Sequence, residues 1–539
     1  MSSRDGIDRR AFLRASLAGV AGLQLPTANV QLPKNSSWEL GAGNRKLSAA
    51  PAIVQGARPL TPQGVAVGDV AGGRAVVWSC ADRAARMFVE YATTESFTDV
   101  RRVAGPAALV SSDYTARTVL TDLPAGQRIF YRVRFQDLAD VRSWSEPALG
   151  SFTTGGAGRA VTIAFSADTV GQGWGINRDW GGLRLYETML RAQPDVFIHL
   201  GDTIYADQPV EPEVKLDDGT VWKNVVTEAK SRAAQNVDDF RGCYQYNLLD
   251  DHMRRFNAAT SQVVIWDDHE VRDNWYLERD LSRDTKYTSV TSMPLLSAHA
   301  RQAFLEYNPI PLIGDDPERI DRTVPYSPLV EIFALDMRSY RGANSENRQP
   351  ALDATSALLG AVQVRRLKAR LAASRATWKV IASDLPIGVI VRDFPSFYEA
   401  VANAEPGAPS GRELELADLL RFIRDRAIRN VVWITADVHY CAAHHYDPSR
   451  ARFTEFEPFW EFVAGPLNAG TFGPNELDPT FGPEVKFVGI PPGMKPNRPP
   501  SDGFQFFGTM AVDARTRAMT SRLHDLSGKA IYSVELEAR

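Results

Sequence analysis

The sequence predicts an α/β layered region preceded by a small β-sandwich, and three observations carry that reading. From about residue 159 onward, apolar runs of strand length alternate with stretches whose apolar residues recur at helical spacing. Between about 60 and 155, alternating strand-like stretches follow one another with turns and no helical pattern between them. Four strand-like runs in the later region end in an acidic residue, a histidine or both: 163–168, 196–202, 263–270 and 432–439. Open α/β sheets place ligand sites at the C-terminal ends of their strands, so these four ends are expected to converge.

Taken in order, residues 1–28 read as an export signal. Arg9-Arg10-Ala11-Phe12-Leu13-Arg14 precedes a mildly apolar run from Ala15 to Leu25, the pattern of a twin-arginine leader, with cleavage near Ala28 or Ala50. That run is too short to span a bilayer, and no other segment offers about 20 apolar residues, so no stable membrane span is expected. Residues 29–58 are rich in Asn, Ser, Ala, Pro and Gly and read as a linker. In residues 59–155, Arg74–Ser79 and Met87–Tyr91 are strand-like. Ile129, Tyr131, Val133 and Phe135 alternate with Arg128, Arg132 and Arg134, and Leu123-Pro124-Ala125-Gly126 is a turn. Such strands without helices predict a fibronectin-III-type sandwich.

Residues 156–539 form the layered region. Strands are expected at Val161–Phe165, Val196–Leu200, Val263–Trp266, Ile332–Leu335, Trp378–Ala382 and Val431–Ile434. Leu183, Tyr186, Met189 and Leu190 mark one helix; Leu416, Leu419, Leu420 and Ile423 mark another. A polar insertion runs from about 207 to 240 and a Pro- and Gly-rich stretch from about 482 to 503. Phe504–Val512 and Thr520–Leu526 read as closing strands.

Composition narrows the function. The 539 residues are 44% hydrophobic and 23% charged, as in a soluble globular protein. A net charge of -4 argues against a nucleic-acid scaffold, which needs a basic surplus. Cys80, Cys243 and Cys441 lie far apart and form no CxxC pair, consistent with folding in a reducing compartment.

Aspartate offers hard cations a short charged oxygen, whereas histidine and tyrosinate suit iron or zinc. Asp168, Asp202, Tyr205, Asp268, Asp437 and His439 are therefore expected to make a mixed metal site. Two metals about 3.5–4 Å apart can lower the pKa of a shared water and clamp an in-line displacement at phosphorus. Asp202, at a sharp turn after its strand, is the natural bridging ligand, and His269 is placed to protonate a leaving oxygen. Arg338 and Arg341 are candidates for binding phosphate oxygens or for bracing Asp336. His199, inside an apolar run, reads as a support or core residue; His444 and His445 read as exposed loop residues. Asp384 ends a strand without an assigned role, and Phe453, Phe456, Phe459, Trp460 and Phe462 read as core.

Gly201-Asp202-x-x-Tyr205, Trp266-Asp267-Asp268-His269-Glu270 and Ala436-Asp437-Val438-His439 resemble the GDxxY, WDDHE and GDVH motifs of the alkaline phosphatase D family of metallophosphoesterases. The sandwich, the twin-arginine leader and Leu335-Asp336-x-Arg338-x-Tyr340-Arg341 match that family too. The resemblance spans nearly the whole mature chain. It implies a metallophosphatase fold, two packed sheets flanked by helices, and hydrolysis of phosphate monoesters or diesters, with phospholipase D-type members in the family. It implies ferric iron and calcium as cofactors, with zinc or manganese as alternatives. Carried over by residue, it makes Asp202 the bridge, Tyr205 an iron ligand, Asp268, Asp437 and His439 further ligands, and His269 the catalytic histidine. Asn274 is a further candidate from the following turn. The chain departs from the pattern at Ala167-Asp168, where many members carry Ser-Cys with the cysteine on iron, and at Ala436, where they carry glycine.

The expected function is an exported metal-dependent phosphoesterase in which a metal-bridging hydroxide attacks phosphorus. Its partners are a phosphate ester substrate and the twin-arginine export machinery, and its place is periplasmic or secreted. The alternatives are a catalytically silent phosphate- or metal-binding protein on the same scaffold and a phospholipase D-type diesterase. A covalent serine or histidine route finds no G-x-S-x-G elbow and no HxKxxxxD pair.

Overall fold

The computed structural model describes residues 58–393 and 396–539. The twin-arginine leader and nearly all of the linker lie outside the described residues. Seven strands open the described chain: β1 (Val65–Ala71), β2 (Arg74–Cys80), β3 (Ala85–Ala92), β4 (Arg101–Ala108), β5 (Thr115–Leu120), β6 (Arg128–Asp137) and β7 (Ala148–Thr153). They form a sandwich of β1-β2-β5 against β4-β3-β6-β7, the three-plus-four arrangement of a fibronectin-III fold. β6 shows why: Ile129, Tyr131, Val133 and Phe135 are fully buried while Arg128 is exposed and Arg132 and Arg134 are half-buried. The period-two pattern read in the sequence thus becomes one buried face.

The layered region follows with β8 (Val161–Ser166), α1 (Arg184–Arg191), β9 (Val196–Leu200) and a hairpin of β10 (Glu213–Lys215) and β11 (Val221–Lys223). Next come α2 (Val237–Asn247), α3 (Asp251–Ala259), β12 (Ser261–Ile265), α4 (Met293–Tyr307), β13 (Arg322–Ser327), β14 (Val330–Ala334), α5 (Gly360–Ala373) and β15 (Trp378–Ala382). A ribbon of β16 (Arg392–Asp393) and β17 (Phe397–Tyr398) leads to α6 (Glu413–Asp425) and β18 (Val431–Thr435). The chain closes with β19 (Ala442–Tyr446), β20 (Phe459–Val463), β21 (Pro483–Val488), β22 (Phe507–Val512), β23 (Met519–His524) and β24 (Ala530–Leu536).

Two large sheets result. One runs β24-β23-β22-β8-β9-β12-β1-β2-β5 and the other β13-β14-β15-β18-β20-β19-β21. β8, β9 and β12 pair in parallel, as do β14, β15, β18 and β20. Alternate residues of both sheets share one core: Ile163, Ile198 and Val263 from the first, Ile332, Val380 and Val432 from the second. Each such side chain contributes about 1.5–3 kcal/mol by leaving water. The outer faces meet helices. Phe197 packs with α1 and α3, Val264 with α2 and α4, and Ile381 and Trp433 with α5 and α6. This is a layered architecture of two packed sheets flanked by helices, with its parallel strands buried on both faces.

Three features go beyond the sequence reading. β1 pairs in parallel with β12, Val67 opposite Ser261, so the three-strand face of the sandwich extends the catalytic sheet. A third closing strand, β24, lies beyond β23. His444 and His445 sit on β19, not in a loop; His444 is buried and bonds Glu461 at 3.0 Å through Nδ1, and His445 is half-buried against Trp460. An unrecognised strand explains that miss, because Ala442–Tyr446 carries no clear alternation.

Candidate metal and active site

The parallel strands deliver their following residues to one region. Asp168 follows β8, Asp202 follows β9, Asp267 to Glu270 follow β12, and Asp437 and His439 follow β18. Asp168, Asp202, Asp437 and His439 all sit at positive φ, between 52° and 66°. Each such residue costs roughly 1–2 kcal/mol, a strain that clusters at functional sites. Backbone bonds hold the turns: Thr169 N donates to Asp202 O at 2.8 Å and Asn468 N to Asp168 O at 3.0 Å. Gly201, at φ 106°, has no room for a Cβ, which would press on Asp267.

Glu270 braces the loops from below. Its carboxylate accepts from Asp202 N (3.1 Å), Thr203 N and Oγ1 (both 2.6 Å) and Asp267 N (2.7 Å). Asp202 Oδ1 in turn accepts from His269 N at 3.1 Å.

The ligand-capable residues gather in three adjoining groups. Asp168, Asp202 and His439 form one, Asp202, Asp268 and His269 a second, and Asp267, Asp268 and Asp437 a third. Within each group the facing atoms lie within 4.8 Å of one another. Asp202 belongs to the first two groups and Asp268 to the last two. Tyr205 Oη meets His439 Nε2 at 2.9 Å. His439 Nδ1 lies 2.6 Å from Gly470 O, and a carbonyl only accepts, so the ring proton sits on Nδ1. That leaves the Nε2 lone pair facing Tyr205 and Asp168, the orientation a metal-ligating histidine uses.

The electrostatics call for cations. Both carboxylate oxygens of Asp168 are buried without a hydrogen-bond partner among the described residues. Burial, reinforced by neighbouring carboxylates, pushes Asp168, Asp202 and Asp437 well above the usual range. Burial and the nearby Asp202 and Asp168 push the Tyr205 phenol up as well. Buried carboxylates in this state must take protons or metal ions. A bound cation reverses that local field, and the bare oxygens of Asp168 with the Nε2 of His439 suit one. The residues present therefore fit a metal centre.

His269 is different. Its Nδ1 bonds Asp207 Oδ1 at 2.7 Å, and Asp273 lies 3.9 Å from its Nε2. Burial works against the charged imidazole, but Asp207, Asp268 and Asp202 outweigh it and raise its pKa well above the ordinary value. Burial likewise works against ionised Asp207, and His269 overrides it, bringing that carboxyl to about 2.

The fold thus brings together Asp168, Asp202, Tyr205, Asp268, His269, Asp437 and His439. Asn274 stands at the edge: its backbone N donates to Asp268 Oδ2 at 2.6 Å, and its amide lies against Glu399. Arg338 and Arg341 differ from expectation. Arg338 is fully buried, and its guanidinium is spent on Asp267, Asp384 (2.9 Å) and Glu399, with Asp437 at 3.6 Å. It neither faces an open phosphate site nor braces Asp336, whose carboxylate accepts instead from Trp266 Nε1 and the backbone of Arg338 and Ser339. Arg341 is also buried, bonded to Asn344 and to the Glu399 carbonyl. His199 is a support residue, its Nε2 3.1 Å from Thr169 Oγ1.

Sequence reasoning missed Asp267, Asp207, Glu270 and Glu399 as parts of the site. Asp207 carried a signal, an acid two residues past Tyr205 in the same turn. Glu399 carried none, since it arrives from the ribbon of β16 and β17.

Two family descriptions match the chain: the PhoD-like phosphatase over residues 164–523 and the PhoD-like phosphatase N-terminal domain over residues 48–155. The chain belongs to the PhoD-like phosphatase family. Alkaline phosphatase D of Bacillus subtilis (strain 168) is 26% identical over 498 residues, covering 86% of this chain and 77% of that protein. The solved structure of PhoD is similar with a TM-score of 0.63 at 21% identity, over 90% of each chain. A purple acid phosphatase from yellow lupin (Lupinus luteus) is similar with a TM-score of 0.53 at 11% identity, over 89% of this chain and 74% of that one. The PhoD-like phosphatase described here is accordingly a phosphoric ester hydrolase with clustered acidic and histidine groups suited to metal. No helix among the described residues is long and apolar enough to cross a membrane.

Proposed function

We propose that the protein is an exported, metal-dependent phosphoesterase acting on phosphate monoesters, diesters or both. The observation that carries this is the junction of the ligand groups at Asp202, with bare Asp168 on one side and Asp268 on the other. Asp168, Tyr205 and His439 would hold one cation, Asp268 and Asp437 with Asn274 beside them a second, and Asp202 both. Ferric iron and calcium are proposed from the family resemblance, with zinc or manganese as the alternatives. Bound cations would acidify water and offset charge on phosphoryl oxygens.

The chain's own groups supply the rest. His269, held at Nδ1 by Asp207, is placed to give its Nε2 proton to the leaving oxygen. Arg338 acts through others: it neutralises Asp267, Asp384 and Glu399, so the acids nearest the metal groups keep their positions. His269, His439 and Asp437 retain slight exposure, and Asp273 stands open at the rim, which marks the approach for substrate.

Export rests on the twin-arginine pattern at Arg9 to Arg14 and is tested by fractionating cells that express Arg9→Lys/Arg10→Lys protein. The break between the two family matches, 155 to 164, supports the boundary between the proposed domains 59–155 and 156–539, while the N-terminal match begins earlier, at residue 48.

The direct test is elemental analysis of purified protein together with assays on 4-nitrophenyl phosphate and bis(4-nitrophenyl) phosphate. Turnover of either, abolished in Asp202→Asn, is expected. Metal-replete protein inert on both would overturn the reading in favour of a silent binding protein. A visible charge-transfer band lost in Tyr205→Phe is expected if Tyr205 meets ferric iron; colourless, active protein removes that assignment.

A further inference from the structure

A cavity of about 730 Å³ lies on a side of the molecule built by segments that the strand–helix core does not need. One wall is the loop after Asp168, with Trp174, Asn177 and Trp180. A second is the β10–β11 hairpin, with Asp218 and Trp222, inside the polar insertion seen in the sequence. The third is segment 495–502, from the Pro- and Gly-rich stretch. These insertions are fastened to one another. Lys495 Nζ meets Asp217 at 2.8 Å, Arg498 meets it at 3.2 Å, and Trp174 Nε1 donates to Asn497 Oδ1 at 2.8 Å.

The same segments touch the metal groups. Trp174 lies on the loop that begins at Asp168. Thr471 and Arg498 exchange both backbone bonds at 3.0 Å, directly beside Gly470, whose carbonyl accepts from His439. Phe472 packs edge-on against the His439 ring at 5.3 Å. The cavity is therefore a neighbour of the metal groups.

Its lining chemistry narrows the occupant. The lining cations are Lys215, Lys495 and Arg498; Lys495 and Arg498 are paired with Asp217, Arg498 also with Asp502, and the carboxylates of Asp179, Asp217, Asp218 and Asp502 outnumber the three. No surplus of positive charge remains to draw a second phosphate or a polyanion. Trp180 is half-buried and backed by Trp222 at 5.2 Å, which in turn meets Trp174 edge-on at 5.9 Å. The Arg184 guanidinium sits 4.9 Å from the Trp180 ring and fixes it further. A held indole flanked by carboxylates and amides suits a neutral ring bearing hydroxyls. Ring C–H groups lie on the aromatic face, and hydroxyls donate to carboxylates and accept from amides.

We propose that this cavity is a subsite for a glycosyl group carried by a substrate phosphodiester, an inference that rests on the phosphoesterase reading above. The test compares two diesters with the same 4-nitrophenyl leaving group, one bearing a methyl and the other a glucosyl group. The glucosyl diester is expected to show a KM about tenfold lower, the scale of one aromatic contact with its hydrogen bonds. Trp180→Ala should remove that difference while leaving KM and kcat for the methyl diester unchanged, and Trp180→Phe should retain most of it. Turnover of both diesters with equal KM, or an equal rise in both for Trp180→Ala, overturns the subsite and leaves the phosphoesterase reading intact. Wild-type protein inert on both diesters but active on 4-nitrophenyl phosphate overturns the subsite alone; metal-replete protein inert on all three overturns the two together.

Discussion

The two large sheets face the same difficulty at their strand ends and meet it differently. After β8, β9 and β12 the acids Asp168, Asp202 and Asp268 converge, and the carboxylate of Asp168 has no hydrogen-bond donor among the described residues. After β14 and β15 comes an equally buried set, but there Arg338 reaches Asp384 and Glu399 and extends across to Asp267. A buried carboxylate needs a positive partner or a proton. The second bank carries its cation in the sequence; the first bank leaves the place for one from solution. Glu413, remote from both, takes the remaining route. At the first residue of α6 it accepts from Ser410 N at 3.2 Å and Asn403 Nδ2 at 3.1 Å, and burial together with Asp478 raises its pKa to about 8, so it holds a proton.

Substitutions can break this three-way comparison. The largest effect is expected from Asp202→Asn, which removes the acid shared by two ligand groups. Turnover should fall by about 10³-fold or more, equivalent to about 4 kcal/mol, with loss of bound metal by elemental analysis. Retained metal and activity would show that the first bank does not depend on its junction. Arg338→Met should cost about 3–5 kcal/mol in urea unfolding by stranding its carboxylates. A loss below about 1 kcal/mol would mean that the second bank is not held by its internal cation.

Gly201→Ala sharpens the geometry of the first bank, since a Cβ at φ 106° collides with Asp267 and displaces Asp202. A drop of about 10²-fold in kcat/KM is expected, the scale of a misplacement near 1 Å. The smallest effect belongs to Glu413. Its folded pKa is raised from 4.5 to about 8, so its contribution to stability is full below about 4.5 and is lost as pH rises through about 8. Glu413→Gln should flatten the fall in Tm between about pH 4.5 and 8; an unchanged slope would place that fall on other groups.

The first bank was readable from sequence because each ligand follows an apolar strand and sits in a short motif. Asp202 and Tyr205 are three apart in one turn, and Asp437 and His439 are two apart. The second bank was not, because Asp384 and Glu399 meet Arg338 only through tertiary packing. The two arginines illustrate the limit: their chemistry suits phosphate or carboxylate equally, and only the surrounding acids decide between them. The strands of the sandwich were visible from period-two alternation, whereas the pairing of β1 with β12 depends on register across nearly two hundred residues.

That long sheet has a consequence for biosynthesis. β8, which leads into Asp168, has β9 on one side and β22 on the other, and β22 emerges more than three hundred residues later. Until the ribosome has released Phe507 onward, β8 keeps an open edge, and pairings of such high contact order form slowly. The turn that carries Asp168 is thus flanked on one side by a strand made late, and a nascent chain that stops before β22 leaves it incomplete.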